Sequence, residues 1–240
     1  MEKKDLSKVK IRNKIKQYKK TNEICSTEFL DPLDVIETHE LYKNYEYVLY
    51  GGYEEAERKI LVVGTINEGD AKQFISVFEI TSNKPLNHRV VLGSILGLGI
   101  KREVVGDIIV QDTKANFFVL KVITRFIESN FNKVGNETIT IKKITDKELL
   151  QTEDKTKIIS TTIASLRIDA VISACYGISR ELASQLIENE KVKINYRPTS
   201  NTSKQIHEGD MISVRGYGRF IINKVVGETR KGRIRVELKI

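Results

Sequence analysis

The stretch from residue 165 to residue 195 restricts the possible folds of this chain more than any other. In SLRIDAVISACYG, Ile168, Val171, Ile172 and Cys175 recur at helical spacing, and Gly177 ends the pattern. Ser179 can cap a second helix, ISRELASQLIENE, whose apolar stripe is Leu182, Ala183, Leu186 and Ile187. KVKIN then reads as a strand. DMISVRGYGRFII reads as a strand pair or bulged hairpin with two glycines spaced for sharp turns. GRIRVELKI is a last strand, with Ile234, Val236 and Leu238 alternating with charged residues. Residues 165–240 therefore form a small mixed unit of their own.

Upstream, residues 4–20 read as a helix with Leu6, Ile11, Ile15 and Tyr18 near helical spacing and basic residues between them. It is either a basic arm on RNA or a solvated helix docked by its apolar stripe. DPLDVIETHELYK (31–43) opens with Asp and Pro, which suit a helix start. YEYVLY, ILVVG and ISVFEI are short strand-like runs separated by turn signals. They are grouped with the first helix in an α/β, RRM-like unit covering 1–83. A second α/β unit follows at 84–148. It has a helix from Asn87 to about Leu98, a hairpin turning at Asp112–Lys114, the short helix VITRFIESN and the strand TITIKKI. Within it, the glycines of GSILGLG (93–99) are expected to serve close packing and a helix stop. Residues 149–164 are expected to be a linker with a strand, IISTTIA. The fold class is thus α+β, two small α/β units followed by the C-terminal module.

Charge narrows the partner. Residues 1–20 carry nine Lys or Arg against two acids, residues 165–240 fourteen against eight, and the residues between seventeen against twenty-two. Two basic ends flank a mildly acidic middle, which suits a polyanion such as nucleic acid or an anionic membrane surface. The longest apolar run, VVLGSILGLGI, is too short and too glycine-rich to span a bilayer. The N-terminus is charged, with no secretory pattern. Two distant cysteines give no metal spacing or disulfide framework. A cytoplasmic protein, a monomer, without metal or cofactor is expected.

In the C-terminal unit the cations sit at the joints. Arg167 opens the first helix, Arg180 lies in the first turn of the second, and Lys191 and Lys193 begin the strand that follows. A helix start with unpaired N–H groups attracts phosphate, and cations around one rim suit a phosphodiester backbone. Ordinary surface charge is an equal reading on composition alone. The order of residues favours RNA. Arg167-Ile168-Asp169, Ser179-Arg180, Leu186-Ile187, Val192-Lys193-Ile194-Asn195 and Gly209-Asp210-Met211-Ile212 strongly resemble the S4-like, or alpha-L, RNA-binding module. Two positions depart from that pattern: Glu190 and Tyr196 stand where the family usually has Gly, and Asn189 is expected to supply the left-handed cap instead. SVRGYGRF (213–220), KGRIRV (231–236), GGYEEAERK (51–59) and HRVVLGSILGLGIKREVVGDIIV (88–110) further resemble the YlmH family of S4-domain proteins.

The resemblance implies a non-catalytic RNA-binding protein. It would act on the large ribosomal subunit, contact ribosomal RNA and tRNA, and serve the rescue of obstructed subunits carrying peptidyl-tRNA. The RNA-contact set is Arg167, Ser179, Arg180, Lys191, Lys193, Asn195, Arg197, Lys204, Arg215, Arg219, Lys231 and Arg233. A secondary contact is expected at His88, Arg89, Lys101 and Arg102. Gly216 and Gly218 are expected to hold Arg215 and Arg219 on one loop with Tyr217 between them. Two rivals stay open: an rRNA-modifying enzyme of the pseudouridine synthase or methyltransferase type, and a division or membrane-surface adaptor using the N-terminal helix. Against the first, no GxGxxG turn and no Ser, Cys or His triad is present. Glu54, Glu55, Glu57 and Arg58 are expected to form an ion network or a protein contact rather than an acid/base pair.

Overall fold

A computed structural model describes residues 3–42, 44–150, 157–230 and 232–240, in two compact units, 1–152 and 153–240. The first unit opens with α1 (Lys3–Thr21), β1 (Cys25–Ser26), α2 (Pro32–Tyr42), β2 (Tyr47–Tyr50) and β3 (Ile60–Val63). The three strands form an antiparallel sheet, β1-β3-β2. Helix α1 lays Ile11 and Ile15, both buried, onto Cys25, Leu30, Tyr42, Leu61 and Val63. Its apolar stripe therefore docks it. The cations from Lys8 onward stay exposed or half-exposed, with Lys8 on Glu37 at 3.5 Å and Lys10 paired with Glu28. The Leu6 and His39 side chains lie outside the described set.

After the short helix α3 (Glu68–Ala71) the chain runs β4 (Ile75–Ser82), α4 (His88–Gly97), β5 (Val105–Gln111), β6 (Lys114–Leu120), α5 (Thr124–Asn130), β7 (Lys133–Val134) and β8 (Glu137–Ile144). The sheet order is β5-β6-β4-β8-β7, antiparallel throughout. Without the two-residue β7, this is a βαββαβ split with the first strand inside, the arrangement that RRM domains use. The RRM-like unit expected at 1–83 is therefore found at 75–144. The boundary expected at 83 is overturned by β4, which pairs with β6 and β8 and not with β2 or β3. Its sequence, ISVFEI, is apolar on both sides of the strand, so alternation does not reveal which sheet it joins.

Both faces of this second sheet are covered. Phe78, Ile80, Phe117 and Val119 pack under α4 and α5 with Val91, Ile95 and Ile127. On the opposite face, Val77, Phe118, Leu120 and Ile144 pack against Phe29, Tyr50, Ile60 and Val62 of the first sheet's layer. The loop 51–59 lies there too, with the Tyr53 ring stacked on Phe118 at 5.2 Å. RRM domains stack bases on the open sheet face. Here that area is occupied by the protein's own core.

The second unit contains β9 (Ile158–Ile163), α6 (Ile168–Tyr176), α7 (Arg180–Glu188), β10 (Val192–Ile194), β11 (Arg197–Pro198), β12 (Met211–Val214), β13 (Gly218–Glu228) and β14 (Ile234–Lys239). The antiparallel order is β11-β10-β12-β13-β14-β9. Strand β9, expected in a linker, pairs with β14 along its length and closes the sheet. The module therefore starts upstream of 165. The strand pair read in DMISVRGYGRFII is the β12–β13 hairpin. Helices α6 and α7 cover one face through Ile168, Val171, Ile172, Ala183 and Ile187, packed on Val192, Ile212, Phe220, Ile222, Val236 and Leu238.

Candidate nucleic-acid interface

The start of α6 and the start of α7 meet at one carboxylate. Asp169 is 4% exposed. It accepts hydrogen bonds from Arg167 Nε at 3.1 Å, Arg167 Nη2 at 3.0 Å, Arg180 Nη2 at 2.7 Å and its neighbour's amide, Ala170 N, at 2.8 Å. Burial alone would raise the Asp169 carboxyl, but the hydrogen bonds from Arg167 and Arg180 outweigh it and hold the group below the usual carboxylate range. The two arginines remain half-exposed. The triad carries one net positive charge and fixes both guanidinium groups, which lowers the entropy lost when they meet a phosphate. This is the physical reason for cations at the joints: one buried acid orients both.

The two uncharged residues of the expected set, Ser179 and Asn195, serve the fold itself. The Ser179 hydroxyl caps α7 by accepting from Leu182 N at 3.1 Å. Asn195 donates from Nδ2 to Asp210 Oδ1 at 2.7 Å and accepts from Met211 N at 2.9 Å, clasping β10 to β12. Asp210 also accepts from His207 N at 2.8 Å. The Asn and Asp of the module's pattern are thus a structural clasp, which the spacing alone did not reveal.

The remaining cations are spread over several elements of the unit. Lys193 pairs with Ser213, and Ser213 with Arg219. Their neighbours Val192, Ile212, Val214 and Phe220 face the helices, so alternation places Lys193 and Arg219 on the opposite face. Lys191 and Arg215 lie side by side, Arg215 N donating to the Lys191 carbonyl at 2.9 Å, and both are exposed. Arg197 is exposed on β11, and Lys204 is exposed with its carbonyl taking the Ile168 amide at 3.0 Å. Arg233 donates to Thr162 O at 2.7 Å and Thr162 Oγ1 at 3.2 Å, which ties it to β9. Lys231 lies outside the described residues. The set is therefore a rim around the module rather than one patch.

Both departures from the family pattern fall where the backbone is left-handed. Glu190 has φ 53, and Asn195 and Tyr196 have φ 47 and 66. Asn189 does not take over the cap, since its φ is −83. Lys191 N bonds Leu186 O at 3.0 Å and Glu190 N bonds Ile187 O at 2.9 Å, a Schellman pattern with Glu190 in the position that glycine favours.

The secondary cluster is split. Arg102 turns inward and donates to the carbonyls of Val105 and, at 3.1 Å, Gly106. Burial and the nearby Arg58 push its guanidinium down to about 10. Arg58 itself is buried, paired with Asp31 and donating to Phe29 O at 3.2 Å and Val105 O at 3.1 Å, so this arginine serves the fold. Asp107, which the sequence did not single out, organises that loop by accepting from Tyr53 Oη, Glu57 N and Arg58 N. His88 is exposed, yet partial desolvation and then the Arg102 guanidinium lower its imidazole. Arg89 and Lys101 stay exposed at the two ends of α4. Between them Gly93 and Gly97 have nothing within 4 Å of an added Cβ, so the close packing expected of these glycines is absent among the described residues. Gly99, at φ 82, does end the helix.

Neither cysteine is arranged as a nucleophile. Burial pushes the Cys175 thiol up to about 11 and raises that of Cys25 as well. Among the described residues no cluster of His, Cys, Asp and Glu could hold a metal ion, and no helix is long and apolar enough to cross a membrane.

Comparison with known proteins agrees with this geometry. The family model described as a putative RNA-binding domain in YlmH matches residues 71–148, and the S4 domain matches residues 166–212. Neither describes a catalytic domain. Ribosome-associated protein quality control protein P2 of Bacillus subtilis (strain 168) is 31% identical over 217 residues, covering 88% of this chain and 84% of that protein. A solved structure, cell division protein ylmH from Streptococcus pneumoniae, matches with a TM-score of 0.54 at 19% identity, covering 63% of this chain and 96% of that chain. That likeness concerns the fold alone.

Proposed function

The chain belongs to the YlmH family of S4-domain RNA-binding proteins, and on that premise we propose that it binds the large ribosomal subunit as a single chain in the cytoplasm. Its targets there are ribosomal RNA and peptidyl-tRNA, and its role is the rescue of obstructed subunits without catalysis. The observation that carries this reading is the triad of Arg167, Arg180 and Asp169. It pre-orients two guanidinium groups at adjacent helix starts, a placement suited to phosphates. The relative named for ribosome-associated quality control supplies the setting.

The first unit fits a different task. With its base-stacking face filled, it is a scaffold whose exposed cations, Arg89 and Lys101, supplement the main contact. It adds target choice rather than raw affinity, in keeping with the mildly acidic balance of residues 21–164.

The test is pelleting of the full-length protein, at one fixed salt concentration, with large subunits that carry peptidyl-tRNA and with empty ones. The expected result is co-sedimentation with both and a preference for the loaded subunit. Equal pelleting with both would remove the tRNA from the proposal. No pelleting with either would remove the subunit. Mass mapping of rRNA nucleosides after incubation separates the enzyme alternative, because a change in any nucleoside would overturn the non-catalytic reading.

A further inference from the structure

We infer that Tyr217 is a stacking platform for an unpaired nucleobase. The inference rests on the RNA-binding reading of this unit and adds a contact that the module's basic residues do not make. Strands β12 and β13 are joined by Arg215-Gly216-Tyr217, closed by the pairing of Val214 with Gly218 and by Tyr217 N donating to Val214 O at 3.0 Å. Gly216 has φ 91 and Gly218 φ 114, angles that L side chains rarely adopt. Two glycines thus hold one aromatic residue at the tip of a hairpin, where it is 42% exposed.

The ring is supported from below. Tyr217 lies on Tyr176 with ring centroids 5.2 Å apart and planes at 45°. Tyr176 meets Phe220 edge-on at 5.7 Å and 74°, and Phe220 is buried in the core. Three rings therefore run from the core to the surface, and the last is braced on its inner side and open on its outer side. A hairpin tip needs no aromatic residue to close, so the ring's place is not explained by the turn. A second observation lies beneath it. The Tyr176 hydroxyl is buried without a hydrogen-bond partner among the described residues, 4.0 Å from the point where a Cβ on Gly218 would sit. A buried hydroxyl without a partner is uncommon in folded proteins and calls for a local explanation.

The surroundings identify the ligand class. Lys191 and Arg215, both exposed, are joined at the base of the same tip by the 2.9 Å backbone bond. An exposed, braced ring beside cations is the arrangement that takes single-stranded nucleic acid, with phosphates on the cations and a base on the ring. In a duplex the base faces are already stacked, so the platform selects unpaired nucleotides.

The experiment uses the full-length protein and the variants Tyr217→Ala and Tyr217→Phe. The probe is a single-stranded RNA oligonucleotide carrying one 2-aminopurine, titrated at several salt concentrations, with the same strand annealed to its complement as comparison. Tyr217→Ala is expected to weaken single-strand binding about fivefold to a hundredfold and to abolish the fluorescence quenching. It is expected to leave the salt slope and duplex binding unchanged, because stacking releases no counterions. Tyr217→Phe is expected to stay within about twofold of the wild type. An alanine variant with the wild-type melting temperature and wild-type quenching would overturn the platform. Loss of subunit pelleting with oligonucleotide binding intact would reassign Tyr217 to a protein partner and overturn it as well. A wild-type protein that binds neither RNA would instead overturn the RNA reading itself, and the platform with it.

Discussion

Strand β4 buries every residue from Ile75 to Ile80, whereas β14 alternates buried Val236 and Leu238 with exposed Arg235 and half-exposed Glu237 and Lys239. The two strands belong to antiparallel sheets of similar size that use their second face differently. In the RRM-like sheet that face carries Val77, Phe118, Leu120 and Ile144 and is filled by the protein's own first layer. In the C-terminal sheet it carries Lys193, Ser213, Arg219 and Arg235. A sheet with both faces covered gains stability and loses a ligand surface. A sheet with one face solvated keeps a place for charge. The division of labour proposed between the units follows from this contrast, and it can be broken in several places.

The largest effect is expected at Phe118, which is fully buried and stacked under Tyr53. Phe118→Ala should destabilise the first unit by about 3–5 kcal/mol in urea or thermal unfolding. The S4-like unit should retain its RNA affinity, measured under conditions where both proteins remain folded. Equal loss of RNA affinity would mean that the covered sheet is not merely a scaffold.

Asp169→Asn should cost about 1–3 kcal/mol in the C-terminal unit, because a buried side chain loses its charge-assisted hydrogen bonds. The folded-state carboxyl lies below its ordinary value, so its contribution is fully present above about pH 4 and is lost as the pH falls through the lowered value. Unfolding measured from pH 6 down to pH 2 should therefore show a shallower acid slope in the variant than in the wild type. Parallel curves would mean that the triad does not stabilise the fold.

Glu190→Gly should stabilise the same unit by about 1 kcal/mol, since it relieves a left-handed cap occupied by a residue with a Cβ. It also removes an acid next to Lys191, so RNA affinity should rise rather than fall. A lower melting temperature would show that Glu190 has a compensating contact.

The smallest stability effect is expected at Lys191 and Lys193, exposed on β10 or beside it. Each change to Ala should shift stability by less than about 0.5 kcal/mol. Each should also flatten the log–log salt slope of RNA binding by about 0.7–0.9 if the residue meets a phosphate. A change in slope for one and not the other would identify whether the RNA reaches the β12–β13 hairpin beside Lys191 or the middle of β10 at Lys193. Arg180 is a poorer probe, since its removal also breaks the pair with Asp169.

Much of the C-terminal unit was legible because its signals are local. Ser179 caps, Gly177 stops and Ile234, Val236 and Leu238 alternate within a few residues of chain. The S4-like pattern was legible for the same reason. The first unit was harder to read. Residues 75–80 carry no alternation, so nothing nearby distinguished a strand of the first sheet from the centre of the second. Arg102 and Arg89 look alike in sequence, but only the carbonyls of Val105 and Gly106, brought close by the start of β5, turn one of them inward. Tyr217 between its glycines is legible in the sequence, but its bracing by Tyr176, at the end of α6, is not.

By itself, then, the sequence determined the order of helices and strands, the basic ends, the family and the two positions, 190 and 196, that depart from its pattern. Each depends on spacing along the chain, and a dihedral preference or an apolar period acts over a few residues. Tertiary structure alone decided that β4 is an inner strand of the RRM-like sheet and that this sheet's second face is closed. It also decided that Asp169 joins two arginines eleven or fewer residues away, and that Lys193 and Arg219 share the sheet face away from the helices. These outcomes depend on which distant surfaces meet to exclude water. Burial is non-directional, so several pairings would hide the same side chains, and the choice among them is made by the packing of the whole unit.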